Sequence, residues 1–156
     1  MSASFDFHSK KALVTGASQG LGYSIAVALA EAGAKVVALA RSEDKLKELH
    51  KKVGIITVTL LYVVADVTSS ESELAALLSS HQPFHLVVNN AGVGLLESCL
   101  SISEEALNTQ IDVNLKAPII LTKIVANEMI RHSIRGAIVN ISSQASMRPI
   151  NNHTVY

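Results

Sequence analysis

The sequence predicts an α/β fold: a doubly wound parallel sheet with helices on both faces, three αβα layers deep. Two observations predict it. Short apolar runs lack the polar alternation of a half-solvated strand, so both faces of their sheet must be buried. Between these runs lie stretches with apolar residues at helical spacing. The crossovers should be right-handed. The chain has 156 residues, so one domain over 1–156 is the default. Apolar residues make up 49% and charged residues 17%, which suits a well-buried core.

Each element follows in order. Ala12-Leu13-Val14 is the first strand. Leu21 to Ala32 is a helix, and Gly33 ends it because the residue after a helix so often turns left-handed. Lys35 to Ala40 is the second strand. Ser42 can cap a helix over Glu43 to Lys52, with Leu46 and Leu49 facing inward. From Val53 to Tyr62 there are more residues than a helix-to-strand connection needs, which suggests an extended loop. Leu61 to Ala65 is the third strand, and Ser70 to Ser80 a helix with Leu74, Leu77 and Leu78 at helical spacing. Leu86 to Val88 is the fourth strand. Ser103 opens a long helix with Glu104 and Glu105 in its first turn. It should run past Asn114 to about Arg131, with Pro118 disturbing it. A fifth, buried strand follows at Ala137 to Ile141.

Composition narrows the function. Lys+Arg and Asp+Glu are both 13, so the balanced charge argues against nucleic acid or an anionic membrane as partner. The single cysteine, Cys99, fits a reducing compartment. Met1 to His8 lack the basic and apolar regions of a signal peptide. The apolar-rich run Ile55 to Ala65 is too short to span a bilayer. A soluble cytoplasmic protein is the expectation. The histidines at His8, His50, His81, His85 and His132 lack metal-ligand spacing, so no metal is expected and they read as surface residues.

The glycine-rich turn carries the chemistry. Thr15-Gly16-Ala17-Ser18-Gln19-Gly20-Leu21-Gly22 lies between the first strand and first helix, the context a dinucleotide-binding turn requires. Gly16 permits the tight turn, Gly20 lets backbone approach a pyrophosphate, and Gly22 allows helix and strand to pack closely. Ser18, Gln19 and Leu21 would complete the cradle, and the free N–H groups of the helix would face the phosphates. An ordinary glycine-rich αβ turn would read the same way. The fold is then Rossmann-type. The second strand ends in Ala40-Arg41-Ser42, with no carboxylate before Glu43. Arg41 and Ser42 can bind a 2′-phosphate where a carboxylate would bind a ribose hydroxyl, which favours NADP(H) over NAD(H). Asp66-Val67 follows the third strand, where an adenine amino group could meet the carboxylate. Asn89-Asn90-Ala91-Gly92 follows the fourth, with small residues beside the cofactor. Ser143 ends the fifth strand, and Tyr156 lies thirteen residues beyond it.

This ordered set resembles the short-chain dehydrogenase/reductase family over nearly the whole chain. The matching residues are Thr15-Gly-x-x-x-Gly20-x-Gly22, Asn89 to Gly92, Asn114, Ser143 and Tyr156. A narrower likeness, to the carbonyl, dicarbonyl and ketose sugar reductases of that family, rests on Val36 to Arg41, Gly136 to Gln144 and Asn151 to Tyr156. The resemblance implies an NADPH-dependent reductase working by hydride transfer, and a homo-oligomer. It makes Tyr156 the general acid and Ser143 the group that holds the substrate carbonyl. It has Asn114 hold a water in a proton relay. Gln144, Ile150 and His153 would line the substrate pocket with Ser143, although His153 could equally be a surface loop histidine.

The pattern breaks at its end. The family motif is Tyr-x-x-x-Lys, and this sequence stops at Tyr156. A free tyrosine has a pKa of about 10, and the lysine is what lowers it. A terminal carboxylate ~6 Å from the phenol would instead oppose the phenolate by roughly 0.7 to 3 kcal/mol. The expectation is an incomplete fold of about five strands, truncated within its catalytic motif, with an apolar edge that lowers solubility. Two readings stand: the amino-terminal part of a carbonyl reductase, or a non-catalytic fragment that binds nucleotide or associates with subunits. For the chain as given, NADPH oxidation with a ketose or dicarbonyl should not exceed the blank. Clear turnover would contradict the importance given to the lysine.

Overall fold

The computed structural model describes residues 5–54 and 59–156. Five strands form one parallel sheet: β1 (Lys11–Thr15), β2 (Lys35–Ala40), β3 (Leu60–Val64), β4 (Leu86–Asn89) and β5 (Ala137–Asn140). Their spatial order is β3-β2-β1-β4-β5. The chain winds outward from β1 to β3, then returns to place β4 on the other side of β1. Val14 therefore pairs with Ala38 on one side and Val88 on the other. The strand order reverses between β1 and β4, where open α/β sheets bind ligands. The predicted doubly wound α/β fold is present.

The two sheet faces have separate cores. On one, Ala12, Val14, Val36, Ala38 and Leu60 meet α1 (Gly20–Glu31) and α2 (Glu43–Gly54). On the other, Leu13, Val37, Leu39 and Val87 meet α3 (Glu71–Ser79) and α5 (Ala117–Arg131). This division follows from the two-residue period of a strand. Alanines at 26 and 30 let α1 lie close to the sheet.

The helix ends obey local rules. Gly33 has φ +94. Its N–H donates to the Ala30 carbonyl and that of Ala34 to Leu29, the paired bonds of a left-handed cap. The Ser70 hydroxyl accepts from the Glu73 N–H, while the Glu73 carboxylate accepts from the Ser70 N–H, a complete capping box before α3. Ser103 caps α4 (Glu104–Ile111) through the Ala106 N–H.

Several expectations need correction. Helix α2 continues through Gly54, because Val53 is fully buried and extends the stripe of Leu46 and Leu49. Strand β3 begins at Leu60, so no extended loop spans Val53 to Tyr62; the expected loop at 55–58 lies outside the described residues. The long helix is three segments: α4, a π-helical stretch over Asp112–Lys116, and α5. Pro118 stands in the first turn of α5, where a missing N–H is tolerated, and the wider π turn precedes it. Leu77 is 42% exposed, not inward. Strand β5 is not buried: Val139 is 50% exposed, and only Ile138 packs on the second core. On the face of the first core, helices α1 and α2 cover β1 to β3 and leave β5 open.

Two histidines read as surface residues have structural work. His50 Nδ1 meets the Leu60 carbonyl at 2.6 Å. His85 Nδ1 accepts the Lys11 N–H at 3.1 Å, which requires an unprotonated nitrogen. Partial burial, with the charges of Lys10 and Lys11, holds His85 below its ordinary value of 6.5. The folded state therefore favours the neutral ring. Its contribution is fully present above that ordinary value and lost as pH falls through the lowered one. Unfolding free energy should accordingly drop on acidification below pH 6.5. His85→Asn, whose Oδ1 can take the same N–H, should flatten part of that acid limb in urea titrations; an unchanged limb would assign it elsewhere.

Candidate active site

Strands β1, β2, β3 and β4 end side by side, and the turns that leave them line one cleft of about 500 Å³. The turn after β1 is shaped by glycine. Gly16 has φ +64, and a Cβ there would stand 2.9 Å from Ala91 Cα. Gly20 has φ +58 with open space where its Cβ would be, so this stretch of backbone can be approached closely. A Cβ at Gly22 would fall 2.4 Å from both the Gly16 carbonyl oxygen and Asn90 Nδ2. The first turn of α1 thus packs on the glycine turn itself.

Thr15 joins the two inner turns. Its hydroxyl, almost fully buried, accepts the N–H groups of Asn90 and Ala91, each at 3.0 Å. Asn90 Nδ2 donates back to the Thr15 carbonyl at 3.0 Å and reaches the Gly16 carbonyl at 3.4 Å. The turn after β1 and the turn after β4 therefore hold one another.

At the other end of the cleft, Arg41 Nη1 lies 3.6 Å from Asp66 Oδ2. Asp66 Oδ1 accepts from the backbone N–H and hydroxyl of Thr68. Partial burial pushes the Asp66 carboxyl up. The two Thr68 hydrogen bonds and the Arg41 guanidinium outweigh that and leave it below the usual carboxylate range. Two residues expected to face a ligand separately thus face each other. Ser42 and Lys45 also line this end, and Lys45 Nζ donates to Gln19 Oε1 at 2.6 Å.

Of the residues singled out for a cofactor, Gly16, Ser18, Gln19, Gly20, Leu21, Arg41, Ser42, Asp66, Val67, Asn90, Ala91 and Gly92 line the cleft. Gly22 lies just beneath them. Asn114, Ser143, Gln144, Ile150, His153 and Tyr156 are not in that lining. Asn114 adjoins it. Its Oδ1 accepts the Val93 N–H at 2.9 Å and its Nδ2 donates to the Val93 carbonyl at 2.8 Å. Fully buried Gln110 clips the same segment, taking the Leu95 N–H at 3.2 Å. Tyr156 reaches the segment from elsewhere: a Cβ at Gly94 would lie 3.5 Å from its ring. A bridge between Glu97 and His153, and the Thr154 hydroxyl on the Glu97 carbonyl at 2.8 Å, hold the tyrosine there. Ser143, past the end of β5, accepts the Ala145 N–H at 3.1 Å and caps the 3-10 turn Gln144–Ser146. His153 Nδ1 faces the Asn151 carbonyl.

Sequence reasoning missed Lys45, Val93, Thr109 and Val113 in the lining and the clasp role of Thr15. Lys45 lay within reach of notice, three residues past Ser42. The others carry no local signal, since only the fold brings them to the cleft. Among the described residues, no helix is long and apolar enough to cross a membrane, and no group of three or more potential metal ligands occurs.

The Thr15 clasp can be tested by Thr15→Val, which preserves shape and removes the acceptor. Two partly buried N–H groups lose their partner, so a loss of about 1 to 2 kcal/mol is expected in urea unfolding. Thr15→Ser should recover most of it; a neutral valine variant would show that the clasp contributes nothing.

The model for short chain dehydrogenases matches residues 10–156. The chain is 43% identical to L-xylulose reductase of Caenorhabditis elegans over 156 residues, all of this chain and 62% of that protein. It is 41% identical to D-erythrulose reductase of Gallus gallus, again over its full length and 61% of that protein. Among solved structures, a metagenomic short-chain oxidoreductase in complex with NADP superposes with a TM-score of 0.87 at 34% identity, covering 94% of this chain and 68% of that one. The chain thus spans less than two thirds of the reductases it matches. By sequence and by fold it belongs to the short-chain dehydrogenase family of oxidoreductases.

Proposed function

We propose that the cleft binds a nicotinamide dinucleotide, NADP(H) in preference to NAD(H), and that the protein reduces a carbonyl, dicarbonyl or ketose sugar of the L-xylulose type. One observation carries this reading: the glycine turn, Arg41, Ser42 and Asn90 to Gly92 converge on a single cleft at the strand ends. The residues fit such a group. Backbone at Gly20 is open to close approach, the start of α1 offers N–H groups for a pyrophosphate, and Arg41 and Ser42 offer donors for a 2′-phosphate. The printed names of the relatives, a xylulose and an erythrulose reductase, support the substrate class.

When bound, the nicotinamide supplies hydride; the rest of the chemistry falls to side chains. Tyr156 Oη would give its proton to the substrate carbonyl oxygen. The Ser143 hydroxyl accepts from Ala145 through a lone pair, so its O–H remains available to donate to the same oxygen. Both Asn114 side-chain groups are engaged by Val93, so its side chain positions the Val93–Gly94 segment on which the tyrosine ring rests. Each amide group keeps one site, a lone pair on Oδ1 and an N–H on Nδ2, and with these Asn114 would hold a water in a proton relay. Gln144, Ile150 and His153 follow Ser143 and would complete the substrate side, in a homo-oligomer of the kind the family forms.

Calorimetric titration tests the cofactor assignment. NADPH should bind at least about tenfold more tightly than NADH, and Arg41→Met should narrow that gap; a preference for NADH would sink it. NADPH oxidation with L-xylulose or diacetyl is expected at the blank for the chain as given; where a rate is measured, Tyr156→Phe should lower it about a hundredfold or more, with NADPH affinity unchanged. An equal rate in that variant would remove Tyr156 from the chemistry. Nucleotide binding with no turnover would leave binding as the function of this chain.

A further inference from the structure

Lys45 is a cation in an unexpected place. It stands in the first turn of α2, where the helix dipole disfavours positive charge. Its ammonium does not turn back to Glu43 or Asp44, the acidic residues of that turn. Glu43 is instead paired with Lys47, one turn further on. Lys45 crosses to the glycine turn and donates to Gln19 Oε1 at 2.6 Å. Both residues line the same cleft as Arg41 and Ser42.

The charges there are unequal in effect. Arg41 has Asp66 3.6 Å away, so part of its charge is already answered. Among the described residues Lys45 is held only by a neutral amide, which fixes its position and cancels none of its charge. An ammonium has three donors, and one is used on Gln19. Gln19 accepts with its oxygen, which leaves its NH₂ group to act as a donor.

We propose that Lys45, positioned by Gln19, is a discriminating residue for the 2′-phosphate of the cofactor, alongside Arg41. The proposal rests on the NADP(H) reading given above. It assigns the preference for a phosphorylated ribose to a bridge between α2 and the glycine turn, and not to the end of β2 alone.

The test is calorimetric titration of NADP⁺ and NAD⁺ into the wild-type chain and into Lys45→Met and Lys45→Arg. Lys45 is exposed, and circular dichroism would verify that both variants fold. The expected result is a roughly tenfold weaker Kd for NADP⁺ in Lys45→Met, with Kd for NAD⁺ within about twofold of wild type. Lys45→Arg should stay near wild type because it keeps the charge. If both dinucleotides weaken together, Lys45 only shapes the turn and the proposal fails. If neither weakens, it fails as well. A wild-type chain with no preference for NADP⁺ would overturn the cofactor reading itself, whereas a preference that survives Lys45→Met overturns the lysine alone.

Discussion

The hydroxyl of Thr15 accepts two N–H groups from the far side of the sheet's reversal point. The site's geometry depends on that contact. A parallel sheet must divide its strands around β1, and the turns leaving β1 and β4 then diverge to opposite faces. The divergence opens a crevice, and without a tie its width would be set by loops alone. Thr15 and Asn90 supply the tie from both directions. Gly22 makes it possible, since a side chain there would displace the Asn90 amide. A buried hydroxyl with both neighbours satisfied is rigid as well as stable, because loosening it exposes unpaired donors.

The same economy recurs one strand further out. Gln110 and Asn114 project from either side of the junction between α4 and the π-helical stretch, and they clip Leu95 and Val93 respectively. The segment they fix carries Gly94, and the absence of a side chain there leaves room for the Tyr156 ring. The π turn thus matters beyond its own backbone. It sets where Asn114 emerges relative to Gln110, which a continuous α-helix would place differently. Irregular backbone at this position is held by side-chain hydrogen bonds to a loop, and the loop in turn meets the Tyr156 ring at Gly94.

The electrostatics of the cleft rest on pairing. Arg41 and Asp66 come from adjacent strand ends, and the guanidinium helps keep the Asp66 carboxyl ionised across the opening. Exposed pairs of this kind contribute little to stability. Their effect is on what the cleft can receive, because a guanidinium beside a carboxylate presents a weaker field to an anion than one alone. The ammonium of Lys45, tied to an uncharged partner, changes that balance.

Much of this was legible in the sequence. The two-residue period of apolar strands, the glycine spacing, the helix starts at Ser70 and Ser103 and the helix end at Gly33 are local facts, and local physics decides them. So the sequence by itself determined the fold class, the strand assignments and the residues of the glycine turn. An apolar edge at β5 was expected, but which residues of the run lie open was not, since an apolar run looks the same on an open face as on a covered one. Nor did the sequence show that the helix through Asn114 would break into α and π segments, because Pro118 marks a disturbance without saying which turn absorbs it. The partners of Arg41, Lys45, Asn114 and Thr15 lie between 21 and 76 residues away. Only the tertiary structure decided those, because a side chain's partner is set by which strand ends the fold brings together, and separation along the chain carries no trace of it.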